Sequence, residues 1–111
     1  MRVKPLEKLR HIAEQLDVPY EIHKYEGPAP EFCVYQVDSI DPDNFADNRA
    51  GARIAHARLS YIQPIDKSYD AVMWKIIDLM TAEGFTEPLV GVDMQEETKK
   101  TVLLFSADVK I

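Results

Sequence analysis

Apolar positions along the chain recur with two periods, and the changes of period mark the elements. Over residues 4–16 the apolar side chains Leu6, Leu9, Ile12, Ala13 and Leu16 are three or four apart, which predicts an amphipathic helix. Pro5 suits its first turn, where the missing N–H would have no partner in any case. Asp17-Val18-Pro19 ends it, because the residue before a proline is pushed out of the α region. Residues 20–25 alternate, with Tyr20, Ile22 and Lys24 on one side and Glu21, His23 and Tyr25 on the other, and predict a short strand. Gly27, Pro28 and Pro30 make a loop. Residues 32–37, aromatic and β-branched, predict a second strand. Residues 38–51 are the longest irregular segment, expected to be an exposed excursion or an assembly contact.

The most consistent run covers residues 52–85. Residues 52–62 alternate as a strand, and Pro64 places a turn over 63–67, since proline cannot continue a ladder. Ser68 is positioned to cap a helix with Asp70 at its positive end. Tyr69, Val72, Met73, Ile76 and Met80 share one helical face, Gly84 stops the helix, and Phe85 is expected to fold back on the last turn. Residues 89–94 predict a strand and 95–100 a polar turn. Residues 101–111 predict a last strand with Leu103, Phe105, Ala107, Val109 and Ile111 facing the core. The order α-β-β-β-α-β-β, with short connections, predicts a single α+β domain over 1–111. Its architecture is two-layer, a mostly antiparallel sheet with two helices packed on one face.

Composition narrows the function. With 111 residues, 46% hydrophobic and 29% charged, the chain is expected to bury a core without disulfides. Cys33 is the single cysteine, so no internal disulfide is possible, which fits a reducing compartment. No apolar run approaches the roughly 20 residues needed to span a bilayer, and the N-terminus leads into an amphipathic helix rather than a signal core. A net charge of −6 with scattered basic residues argues against a nucleic-acid-binding face, although an acidic surface suits a protein beside which DNA must slide.

Candidate chemistry is sparse. Asp41 and Asp43 match the first two positions of a calcium loop, but the central glycine and closing glutamate are missing, so a solvated acidic loop is expected and no metal. Cys33 and His23 fall on neighbouring strands, yet a mid-strand cysteine is expected to be structural. His11, His23 and His56 have no zinc spacing, and His56 is expected on the outer sheet face. The four glycines form no phosphate loop. Trp74 lies beside the apolar stripe of the second helix, as core edge or as an exposed anchor. No catalytic residue and no cofactor is predicted.

Several stretches taken in order carry a family likeness: Leu16-Asp-Val-Pro-Tyr20, Tyr25-Glu-Gly-Pro-Ala-Pro-Glu-Phe-Cys-Val-Tyr35, Phe45-Ala-Asp-Asn48, Arg58-Leu-Ser-Tyr61 before the helix, Gly84-Phe85, and the final hairpin. Over nearly the whole chain they resemble the small tail terminator, or tail-completion, proteins of long-tailed bacteriophages. The resemblance implies a non-enzymatic part of the virion, made in the host cytoplasm. It would cap the head-proximal end of the tail tube as a ring, usually a hexamer, stop tube growth and allow head–tail joining. The implied partners are further copies of itself, the tail tube protein and the head–tail connector, with DNA passing through the channel unbound and no membrane. The expected subunit contacts are Asp41, Asp43, Phe45, Asp47, Asn48 and Arg49 in the irregular loop, with Arg53 and Trp74. Phe45 in a polar loop calls for a partner, whether a neighbouring subunit or the domain's own core. A portal-side connector and a small ligand-binding or catalytic α+β domain are the alternative expectations.

Overall fold

The computed structural model describes residues 3–42 and 53–111. In chain order the elements are α1 (Pro5–Glu14), β1 (Tyr20–Ile22), β2 (Phe32–Pro42), β3 (Arg53–Pro64), α2 (Asp70–Ala82), β4 (Leu89–Gln95) and β5 (Lys100–Lys110). The α-β-β-β-α-β-β order and the α+β class are those the hydrophobic pattern predicts. The sheet runs β1-β2-β3-β5-β4, antiparallel except for the short β1–β2 pair.

One sheet face carries the core. Alternate residues Ala55, Ala57, Leu59 and Tyr61 of β3 and Leu103, Phe105, Ala107 and Val109 of β5 are buried, together with Cys33 and Tyr35 of β2. Leu9, Ile12 and Ala13 of α1 and Ile76, Ile77 and Met80 of α2 close over them in one cluster. α1 lies on β2 and beside α2. α2 is tied to the β5 side by Phe85, buried just after the helix, and by the bond from Thr86 N–H to the Asp108 carbonyl (2.9 Å).

The helix ends show local causes. Pro5 stands in the first turn of α1. Past its last turn the chain turns at Asp17, whose φ of 58° is in the left-handed region that a short polar side chain tolerates. α2 ends as expected: Gly84 has φ of 97°, its N–H bonds the Thr81 carbonyl, and Phe85 N–H bonds that of Met80 (both 3.1 Å). These are the paired bonds of a Schellman stop.

Four expectations need correction. Ser68 does not cap α2; it is exposed, Tyr69 holds the N-cap position, and no side chain caps there. The Tyr69 ring packs against the core, so packing rather than a hydroxyl sets the helix entry. Pro64 closes β3 instead of breaking it. The next N–H, of Ile65, bonds the Lys99 carbonyl on the β5 side, so the proline nitrogen faces the other way, where β2 has already ended at Phe32↔Ile62. β1 stops at Ile22, where His23 takes φ of 68°. Finally, the irregular segment begins later than expected, because β2 extends to Pro42.

That extension contains a bulge. The β2–β3 register shifts between Val37 and Ser39, leaving Asp38 as the extra residue. Before it, odd-numbered residues of β2 face the helices; after it, Ile40 does, paired with Ala55, and Ser39 and Asp41 join the outer face. No helix among the described residues is long and apolar enough to cross a membrane.

Candidate interaction surface

Beyond the bulge, residues 38–42 of β2 run on along β3 as an exposed arm. Every residue of 38–42 is exposed although 39–42 are paired to β3, including Ile40, 49% exposed on the helix side. An 11-residue strand reaches roughly 37 Å, longer than the 10-residue α1, about 15 Å, that packs on it.

An ionic cluster fixes the arm on its outer face. His56 of β3 stands directly opposite Asp108 of β5 and diagonally from Asp41 of β2. Its Nδ1 is 2.7 Å from Asp108 Oδ1 and its Nε2 is 2.8 Å from Asp41 Oδ2. A carboxylate only accepts, so both ring nitrogens donate and the ring is an imidazolium. The Asp108 hydrogen bond leads in raising the His56 pKa; desolvation opposes it, and the bond to Asp41 adds to the rise. Nearby, Arg58 Nη2 donates to Asp38 Oδ1 (2.7 Å) and Gln36 Nε2 donates to the same oxygen (2.5 Å). The Arg58 bond leads in holding the Asp38 carboxyl below the usual range. The bulge residue is thus clamped to the strand it bulges from.

A second polar cluster sits at the opposite end of β3. Glu31 accepts from Tyr61 Oη and from Lys67 Nζ (2.7 Å). Burial opposes its ionised form, but those two bonds prevail and hold its pKa low, while burial and then Glu31 push the Tyr61 phenol up. The group edges a cleft of about 330 Å³ beside the start of α2, lined also by Leu16, Gln63, Val72 and Lys75. Lys67 neutralises Glu31, so the cluster holds a salt-bridged glutamate and a hydrogen-bonded neutral tyrosine rather than a free acid or base.

Cys33 is fully buried opposite Tyr20, and burial pushes its thiol up to about 12. His23 is exposed beyond the end of β1. The conceivable Cys–His pair is therefore not formed, and a neutral thiol is no nucleophile. Among the described residues no group of three His, Cys, Asp or Glu could hold a metal.

Asp41 lies on the arm as an ion-pair member rather than in a loop, and Arg53 opens β3 across from Pro42, exposed. Trp74 is 57% exposed, so the indole is not core edge. Asp43, Phe45, Asp47, Asn48 and Arg49 lie outside the described residues. Asp108 and the exposed apolar side chains of β4, Leu89 (79%), Val92 (43%) and Met94 (53%), were not singled out by the sequence. Alternation gives their faces, but which strand is an edge follows only from the sheet order. No protein-family model matches the chain, and no curated protein matches it.

Proposed function

We propose that this chain is a structural subunit of a long-tailed bacteriophage that closes into a ring on the head-proximal end of the tail tube, stops tube growth and allows head–tail joining. The observation that carries the reading is the β2–β3 arm. Its residues 38–42 are exposed and braced by His56 and Arg58, and their side chains lie outside the domain's own core. A heterologous ring needs two different surfaces on opposite sides of each subunit. The arm supplies one. Trp74, on the far flank of α2, supplies an aromatic anchor for the other. The net charge of −6 suits a channel through which DNA passes without sticking. The ordered motif likeness to tail terminators supports the same reading.

The test is to polymerise the tail tube protein encoded beside this gene with and without the purified chain, and to measure tube lengths by negative-stain microscopy. Short tubes ending in a ring-shaped cap are expected, with Arg53→Glu folding normally but failing to cap. Tubes of unchanged length without caps would overturn the proposal.

A further inference from the structure

The sheet has two edges, and they differ. β1 is three residues long, whereas β4 is a seven-residue edge paired without interruption to β5. Edge strands are ordinarily protected by lysine, proline or a bulge. β4, Leu-Val-Gly-Val-Asp-Met-Gln, has none of these and a single charge, Asp93. Its side chains are apolar and exposed on both faces: Val92 and Met94 on the helix side, opposite Leu103 and Thr101, and Leu89 on the outer side, opposite Ser106.

α2 carries a further exposed aromatic, Trp74. Its α1-facing flank is marked by Glu83, beside Lys8, and by Val72 and Lys75, which share a cleft with Leu16. Helical rotation puts Trp74, Ile77 and Thr81 on the opposite flank, away from α1. The exposed indole therefore stands on the flank of α2 that does not meet α1.

We propose that β4 is a self-association edge, pairing antiparallel with β4 of a second copy about a two-fold axis through Val92. The sequence is self-complementary in that register. Val92 meets Val92 of the partner subunit, Val90 meets Met94, Gly91 meets Asp93 and Leu89 meets Gln95. Every paired position lies on the same face in both copies, so apolar side chains meet apolar ones on the helix side. Only paired residues of equal parity occur, so the outward N–H and C=O groups match whichever set of alternate residues carries them. A seven-residue edge about 24 Å long is a small contact beside a specific interface of standard size. The dimer is accordingly weak and reversible. Two-fold pairing closes with two copies, so it belongs to the free protein and does not rest on the ring reading.

The test is sedimentation velocity of the purified chain over a micromolar-to-millimolar series. The weight-average mass should rise from monomer to dimer. Val92→Lys, which sets two ammonium groups opposite each other, should weaken the dimer about tenfold or more with an unchanged circular dichroism spectrum. Met94→Lys should weaken it too, which keeps the test open if one variant folds poorly. Leu6→Lys, an exposed position on α1, should dimerise like the parent. Val92→Cys should cross-link to a covalent dimer on oxidation while buried Cys33 stays free. A monomer throughout the series, a dimer indifferent to Val92→Lys and Met94→Lys, or a larger ring that survives both would overturn the proposal.

Discussion

Replacing Gly84 with alanine isolates one backbone conformation. The residue sits at φ of 97° just past α2, and a Cβ built there meets nothing nearer than Lys8 Nζ at 3.7 Å. No clash contributes, so the cost is the left-handed backbone itself, roughly 1–2 kcal/mol for an L-residue. Alanine also restricts the unfolded chain, which returns about 0.4–1 kcal/mol. The net expectation is a loss of about 1 kcal/mol. Unfolding entropy near 2.1 cal/mol/K per residue gives about 230 cal/mol/K for this chain, so Tm should fall by roughly 4 °C. Calorimetry at neutral pH measures it. Gly84→Asn should lose less, because asparagine tolerates the left-handed region. An alanine variant as stable as the parent, or more so, would refute the Schellman stop and with it the placement of Phe85 under α2.

Other perturbations address the clusters. The His56 pKa is raised in the fold, so its stabilisation is complete below the ordinary value of 6.5 and is lost as pH rises through the higher folded value. Urea midpoints between about pH 6 and pH 9 should therefore fall more steeply for the parent than for His56→Gln, and parallel profiles would contradict the double ion pair. Cys33, buried with its thiol near 12, should resist a disulfide reagent in the native protein and react once on unfolding; rapid native labelling would contradict its burial. Thr101 is fully buried and its hydroxyl has no hydrogen-bond partner among the described residues, so Thr101→Val should leave stability unchanged or raise it by up to about 1 kcal/mol in urea denaturation. A clear loss would mean that the hydroxyl is satisfied.

Much of the fold was legible because period and punctuation agree along the chain. Leu9, Ile12 and Ala13, then Ile76 and Met80, are buried on the faces their spacing marks, and Gly84 stops α2. The last strand alternates as expected, with Leu103, Phe105, Ala107 and Val109 inside. The arm was not legible. Strict alternation from Cys33 would put Asp41 on the helix side, and the bulge at Asp38 reverses it. Bulges have no strong one-strand signal, since they are defined against the partner strand. The His56–Asp108 pair likewise depends on register between strands 52 residues apart in sequence. Pro64 misled because a proline is tolerated where the adjoining strand has ended, a fact about the neighbour. Exposure of Val92 and Met94 depends on β4 being an edge, which chain order alone leaves open.

The ring-cap account is tested most directly by electron microscopy of particles from the parent phage or prophage with this gene deleted. The account predicts DNA-filled heads beside unjoined tails, many of them overlong. Normal-length tails that fail to attach would shift the role to the portal-side connector, and intact infectious particles would contradict the account outright.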